Sequence, residues 1–376
     1  MTDLDALRKQ IDEIDRKMTT LYKERMEAVS QIAGYKRETG EVIYRPEREE
    51  QILQKVMAMA GEKNALKIRL LYKTLMRQSR ERQYEITSAT LPIAEIIGCM
   101  INSEIRPSRA AYAGLPGSYT HSAAEIFYPN IQLVSHSTFG SVLEAVASGN
   151  CDVGVLPIDN TTEGIVADVY EGLLDYKLYI SDSMTLSIRH CLLGISEDSR
   201  SRITKVLSHP QALGQCAGFI SSHGYFMIPD TNTAIAAQKV AEEGNPEQAA
   251  IASSLAAGIY GLSILEENIS DEKCNSTRFI AVTKQPVINA NANRISLSFT
   301  LPHESGALSN ILSIAADYGI NLVNVQSLPL PQKPWEYRFY MDISGSVYRS
   351  EVKAILYMLF KELPEMHFLG NYEDKS

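Results

Sequence analysis

The sequence predicts a multidomain chain: an all-helical module at the amino end, a central α/β module and a small carboxy-terminal βαββαβ module. Three observations predict it. At 376 residues the chain exceeds what one core usually organises. Residues 1–88 hold three glycines and one proline, Pro46, and their apolar positions recur every three or four residues. Beyond about residue 109, glycine and proline become frequent, and short strand-like runs alternate with helical stretches.

A hydrophobic content of 45% with 22% charged residues is sufficient for folding throughout. Cys99, Cys151, Cys191, Cys216 and Cys274 are scattered and never spaced C-x-x-C, which argues for reduced thiols over a disulfide framework or a zinc ribbon. No apolar run approaches the roughly 18 residues of a membrane span, so a cytoplasmic protein is expected. The Asn-x-Ser/Thr matches at Asn160, Asn268 and Asn275 then carry no glycosylation meaning. The net charge of −9 is uneven. Residues 1–88 carry 18 basic against 15 acidic side chains, the remainder 18 against 30. The cations are interleaved with acids and lack a stacking pattern of aromatics, which speaks against nucleic acid.

Within the helical module, Leu4, Leu7, Ile11, Ile14, Met18 and Leu21, then Ala28, Ile32 and Tyr35, mark one long helix with a narrow apolar seam. Arg25 stands on that seam. A cation there needs either an acid from another helix or an anionic ligand, and the spacing leaves both open. Lys36, eleven residues on, shares its face about 16 Å along the axis. Arg8 borders the same seam about 25 Å from Arg25, too far for one small ligand to reach both from one helix. A shared site therefore requires a second, antiparallel copy of the chain. Pro46 suits the first turn of a second helix, whose stripe of Ile52, Val56 and Met59 also carries Glu49, with Arg48 alongside. After a break at Gly61-Glu62-Lys63-Asn64, a third helix runs Ile68, Tyr72, Leu75, then polar Ser79 and Gln83, before Ile86.

Residues 1–88 thus resemble the all-helical chorismate mutase module, with Arg8, Arg25, Lys36, Arg48, Glu49, Ser79 and Gln83 at the family's active-site positions. The resemblance implies a three-helix fold in an intertwined dimer and the rearrangement of chorismate to prephenate. That pericyclic step needs a folded substrate and stabilised charge on the breaking ether oxygen, without nucleophile or metal. Lys36 and Gln83 are implied as the catalytic donors; Arg8, Arg25, Arg48, Glu49 and Ser79 bind substrate. Arg45 departs from the pattern, standing where the family commonly has aspartate.

Residues 89–108 read as a linker containing a short helix. From Arg109 the order is βαβα, hence a largely parallel sheet. Neither G-x-G-x-x-G nor G-x-x-x-x-G-K-[ST] occurs, which sets aside nicotinamide and P-loop chemistry, and no cofactor or metal is expected. Polar clusters fall at strand ends and helix starts, where open α/β sheets bind ligands: Gly117 to His121, Pro157 to Gly164, Ser208 to Gln211, Thr231 to Thr233 and Asn275 to Phe279. Singly, each reads as a cap. Together and in order they resemble prephenate dehydratase over residues 109–285. The resemblance implies two α/β lobes around a cleft, like a periplasmic binding protein, with the chain crossing twice. It makes Thr277 the hydroxyl that protonates the departing hydroxide, with Ser118, Thr120, Asn160, Ser208, Gln215, Thr231 and Arg278 binding prephenate. Asp159 replaces the family's glutamate.

Residues 294–372 follow strand, helix, strand, strand, helix, strand. This resembles an ACT domain, a small-molecule sensor that pairs with its copy, and Trp335 opens its third strand. Gly306, Ala307 and Leu308 match the family's ligand-facing G-A-L. L-phenylalanine is the implied effector. The companion motif is altered to Gln326-Ser327-Leu328-Pro329, losing a carboxylate and a guanidinium. Together the resemblances imply an enzyme taking chorismate to prephenate and on to phenylpyruvate, as a homodimer or dimer of dimers. The alternatives are an arogenate-using dehydratase and a non-catalytic sensor with decayed enzyme modules.

Overall fold

A computed structural model describes residues 4–102, 104–272, 274–301, 304, 306–330, 333 and 336–375. Trp335 lies outside the described residues. Helix α1 (Leu4–Thr39) is continuous, about 54 Å long, because it contains no proline and only Gly34 as a weak point. Helices α2 (Pro46–Ala60) and α3 (Ala65–Ser88) follow. Cross-helix bonding of α1 to α3 begins at Tyr22, whose hydroxyl donates to Gln78 Oε1 at 3.3 Å. The amino-terminal half of α1 therefore presents its seam to solvent: Leu4, Leu7, Ile11, Ile14, Met18 and Leu21 are all exposed, Leu21 by 64%. Only Val29 and Ala33 of α1 are buried.

The linker contains α4 (Ile93–Ile97), as its apolar patch predicts. It is not loose. Ile96 and Ile97 pack into the carboxy-terminal core beside Ile295, Leu297 and Val352.

The central module has two lobes. The first comprises β1 (Arg109–Ala113), α5 (Tyr119–Phe127), β2 (Gln132–His136), α6 (Phe139–Ser148), β3 (Val153–Asn160), the short β4 (Gly164–Ile165), α7 (Ala167–Asp175) and β5 (Tyr179–Ser187). The chain then crosses to β6 (Cys191–Gly194), β7 (Lys205–Ser208), α8 (Pro210–Gln215), α9 (Ala217–His223), β8 (Phe226–Pro229), α10 (Thr233–Glu243), β9 (Gln248–Ala252), α11 (Ser254–Tyr260) and β10 (Ser263–Glu266). It returns to the first sheet as β11 (Ser276–Thr283). The expectation of a largely parallel sheet needs correction: β1 pairs with β2 and β3 in parallel, but β11 pairs antiparallel with both β3 and β5. A strand that returns from the second lobe must run back along the one that left, which makes those ladders antiparallel.

The carboxy-terminal module is β12 (Arg294–Thr300), α12 (Ala307–Asp317), β13 (Leu322–Pro329), β14 (Tyr337–Ser344), α13 (Ser350–Glu362) and β15 (His367–Asp374). Its order β13-β14-β12-β15 joins the first lobe through parallel pairing of β15 with β5, giving one ten-stranded sheet. Helices α12 and α13 pack against the helical module through Arg77–Asp317 (2.7 Å) and the edge-on rings of Tyr84 and Tyr357 (5.7 Å). Among the described residues no helix is long and apolar enough to cross a membrane, and no three His, Cys, Asp or Glu side chains are grouped to hold a metal.

Gly370 makes the sheet junction possible. A Cβ there would overlap the Ile180 backbone carbonyl, which cannot rotate away. Gly370→Ala should therefore lower unfolding stability by about 2–3 kcal/mol, read from the denaturant midpoint, with the loss of an overpacked core position.

Candidate active site

The helical module joins Arg25, Ser79 and Gln83 through hydrogen bonds, and places Lys36 within reach of the Glu49 charge. Arg25 Nη1 donates to the Leu75 carbonyl (3.1 Å) and to the Ser79 hydroxyl, which itself donates to Leu75 O (2.6 Å). These neutral oxygens are its only bonds among the described residues, so the protein's own acids do not neutralise the seam cation. Gln83 is buried, donating to Ser79 O (3.1 Å), and its Oε1 has no partner among the described residues. Lys36 donates to Ile43 O (3.0 Å). Burial, then the charge of Arg45, holds the Lys36 amine below its ordinary pKa against the pull of Glu41 and Glu49. Arg45 itself is exposed and paired with Glu41 (2.6 Å). Beside Lys36 opens a cavity of about 360 Å³, lined also by Tyr44, Tyr84, Thr87 and, from α13, Tyr357 and Lys361.

Two expected members stand apart. Arg8 is exposed and, among the described residues, bonded to Asp5 at 3.4 Å, about 42 Å back along α1 from Lys36. Arg48 is exposed at the start of α2. The sequence also gave no signal for Arg80, which enters the same interior. Its Nη1 holds Glu49 Oε1 at 2.5 Å and its Nε holds Glu362 of α13 at 2.8 Å.

In the central module, the ladder register decides which side chains meet. Thr277 lies opposite Asn160, and Arg278 opposite Asp159, so the two pairs point to opposite faces. On the first face, Asn160 Nδ2 donates to Thr277 Oγ1 (2.7 Å) and to Asn275 Oδ1 (2.9 Å). Asn160 Oδ1 accepts from the Thr162 and Glu163 amides (2.8 and 3.0 Å), which fixes the orientation of the side-chain amide. Asn275 Nδ2 donates to Gln215 Oε1 (3.0 Å), which also meets His190 Nε2 (2.9 Å), while His190 Nδ1 faces the Tyr119 hydroxyl (2.9 Å). A continuous chain of hydrogen bonds thus links the two lobes and ends on Thr277. A cavity of about 390 Å³ opens beside Asn275 at the crossings, lined by Arg189, Asn268 and Glu272. Of this chain the sequence indicates Asn160, Gln215 and Thr277. Tyr119 lies in the Gly117 to His121 cluster without a role assigned there, and nothing in the sequence marks His190.

The lobes also touch at the Gly114–Gly117 loop. Ser253 Oγ donates to Gly117 O (2.6 Å) and the Tyr260 hydroxyl to Pro116 O (2.8 Å). A Cβ on Gly114, whose φ is +94°, would sit between Ser118 Oγ and Asn232 Nδ2, so the caps of α5 and α10 converge there from opposite lobes. Two converging helix starts offer amide donors to an anion. Thr120 is buried in the first turn of α5. The expectation for Thr231 shifts by one residue: its amide and hydroxyl are tied to Asp230, while Asn232 takes the cap position. Ser208 is fully buried and donates to Ile251 O (2.6 Å).

Arg278 requires correction. Its guanidinium points away from Thr277 and pairs with Asp342 of β14 (2.6 Å), with the Tyr170 hydroxyl at 3.3 Å. Burial opposes its charge, but Asp342 and the neighbouring tyrosines outweigh that and raise its pKa. It is an interdomain cation, unavailable to a carboxylate on the Thr277 face. Asp159 shares this second face, and burial raises its carboxyl above the ordinary range despite Arg278. Gly306 caps α12 with Ala307 and Leu308 in its first turn, and Gln326 donates to Asn324 (3.2 Å) with Ser327 beside it on β13.

A cation-lined helical interior joined to a two-lobed α/β cleft with a buried hydroxyl defines a multidomain enzyme acting on small anionic metabolites. Family models agree with that division: the model for chorismate mutase type II matches residues 7–84, and the model for prephenate dehydratase matches residues 110–287. A bifunctional chorismate mutase/prephenate dehydratase from Pseudomonas aeruginosa is 30% identical over 98% of this chain and 97% of its own length. An arogenate dehydratase/prephenate dehydratase 2 from Arabidopsis thaliana is 36% identical over 70% of this chain and 72% of its own. The crystal structure of prephenate dehydratase from Arthrobacter aurescens in complex with L-Phe matches with a TM-score of 0.63 and 28% identity, covering 70% of this chain and 90% of that one. The chain belongs to the bifunctional chorismate mutase/prephenate dehydratase family.

His190 yields a pH prediction. Burial lowers its pKa, so the unfolded chain takes up a proton near pH 6.5 while the folded imidazole resists it. The unfolded state then binds more protons, and stability is lost as pH falls below about 6.5. Denaturant midpoints from pH 7.5 to 5 should show this loss, and His190→Gln should make the dependence shallower.

Proposed function

We propose that the family's two activities are carried by two separate sites: the helical interior around Arg25 rearranges chorismate to prephenate, and the Thr277 face of the cleft converts prephenate to phenylpyruvate. The observation behind the first site is Arg25, a seam cation bonded only to neutral oxygens and so free to take a carboxylate. Lys36 and Gln83 supply donors to the breaking ether oxygen, each worth about 3 kcal/mol by analogy with single oxyanion donors. Burial and Arg45 lower the pKa of the Lys36 amine, while Glu41 and Glu49 support its charged form. Glu49, Ser79 and Arg48 complete the site. Arg8 serves the site of a second copy, and the exposed seam of Leu4 to Leu21 is the surface that copy would cover, as a homodimer or a dimer of dimers in the cytoplasm.

At the second site, Thr277 accepts a hydrogen bond from Asn160 and keeps its own proton to give. Accepting that bond makes the hydroxyl a better acid as the leaving hydroxide takes its proton and carbon dioxide departs. With Arg278 occupied by Asp342, the carboxylates are held by Ser118, Thr120 and the converging starts of α5 and α10. Gln215 and Asn275 hold the amide of Asn160 in register. L-phenylalanine is the proposed effector, near Gly306 to Leu308 with Gln326 and Ser327. Arogenate remains the second reading, since hydrogen-bond donors alone do not separate an α-keto from an α-amino group; parallel turnover of both compounds decides it.

Arg25→Ala should reduce mutase turnover by about a hundredfold or more and spare the dehydratase, while Thr277→Ala should do the reverse. Loss of both activities in either variant contradicts the two-site reading. Mixing Arg8→Ala with Arg25→Ala chains should restore part of the mutase activity in proven mixed dimers, because one of the two shared sites is then intact.

A further inference from the structure

The buried cluster of Glu49, Arg80 and Glu362 joins three elements from two modules. Arg80 is on α3, one turn before Gln83 and Tyr84; Glu49 is on α2; Glu362 closes α13 of the carboxy-terminal module. The side chains of Arg80 and Glu362 are 14% and 13% exposed, and Arg80 stacks over the Tyr44 ring at 4.7 Å. The Tyr84 hydroxyl lies near enough to favour the Glu362 carboxylate. Burial pushes the Glu362 carboxyl above the ordinary range, opposed by Arg80, and Glu49 pushes it further up. For Arg80, burial works against its charge, but Glu362 and Glu49 outweigh it.

A guanidinium is a rigid fork, so what occupies one edge limits how it can meet a second partner on another. Glu362 takes Nε and Glu49 Oε1 is left with Nη1. Glu49 Oε2 carries no hydrogen bond from the described residues. Without Glu362, Arg80 is free to swing onto Glu49 with both nitrogens and engage both oxygens.

We propose that Glu362, acting through Arg80, is a positioning residue for Glu49, so that the carboxy-terminal module builds part of the mutase site. This rests on the reading that Glu49 binds the mutase substrate. Glu362 does not touch substrate; it fixes which edge of Arg80 meets Glu49. The arrangement is also electrostatic: neutralising Glu362 adds one unit of positive charge beside the site, which should favour binding of a dianion while Glu49 is mis-set.

The test uses the full-length chain, with dehydratase turnover as the internal measure of folding. Glu362→Gln should lower mutase kcat about tenfold, the scale of one charge-assisted hydrogen bond, with KM unchanged or lower and dehydratase turnover unchanged. Placed in a Glu49→Gln background, Glu362→Gln should have no further effect on kcat, because its route runs through Glu49. Tyr84→Phe, which keeps the ring and drops the hydroxyl that favours the Glu362 carboxylate, should give a smaller kcat loss of the same kind, and decides the matter if Glu362→Gln also costs dehydratase activity. An unchanged mutase kcat in both variants, or an equal loss with and without Glu49, overturns the proposal. Full mutase turnover by Glu49→Gln alone would instead remove the underlying assignment of Glu49.

Discussion

A guanidinium taken out of water must find an oxygen partner, and the partners of four arginines decide how this chain is assembled. Arg77 finds Asp317, Arg80 finds Glu49 and Glu362, and Arg278 finds Asp342. In each case an acid comes from the carboxy-terminal module. Arg25 differs, since its donors reach only a carbonyl and a hydroxyl. Three cations are thus structural and one retains its charge for something else. The apolar contacts then follow the ionic ones, with α4 packing into the carboxy-terminal core and β15 extending the central sheet.

Much of this was legible in the sequence because periodicity and punctuation are local. The seam of α1, the proline at the head of α2 and the strand and helix order of the last 80 residues are set by neighbours a few positions apart. Thr277 and Asn160 could be nominated from their motifs and Gln215 from the family resemblance, and the structure brings them into one hydrogen-bonded chain. Arg278 could not be assigned correctly in this way. Its fate depends on strand alternation and on Asp342, 64 residues later, and no local pattern reports an ion pair across a module boundary. His190 is invisible for the same reason: its role comes from being placed between Tyr119 and Gln215, which are 71 and 25 residues away.

The exposed seam of α1 carries a second lesson about what one chain can satisfy. A helix of 36 residues cannot be covered along its length by partners of 15 and 24 that fold back beside its carboxy-terminal half. Six large apolar side chains in solvent forgo burial that could contribute roughly 1.5–3 kcal/mol each. A monomer therefore leaves this surface in solvent, and Arg8, exposed and paired with Asp5, lies on the same stretch of helix. In the proposed dimer, covering the seam and delivering Arg8 would be one geometric requirement.

Both chemical steps are arranged without a strongly acidic or basic catalyst. In the two-site reading proposed above, charge on an ether oxygen is met by donors already held in place, and in the cleft the Thr277 hydroxyl gives a proton while its lone pair is engaged by Asn160. Each depends on position more than on pKa, so each depends on what fixes position. For Thr277 that is the ladder of β11 against β3 and β5, whose opposite face is pinned by Arg278 to Asp342. For Glu49 it is Arg80, pinned to Glu362. The strand β14 and the helix α13 that provide these two acids belong to one small module and share one core, in which Met341 and Leu359 are buried together. The carboxy-terminal module is consequently in bonded contact with residues adjoining both proposed sites, through Glu362–Arg80–Glu49 at one and Asp342–Arg278 at the other.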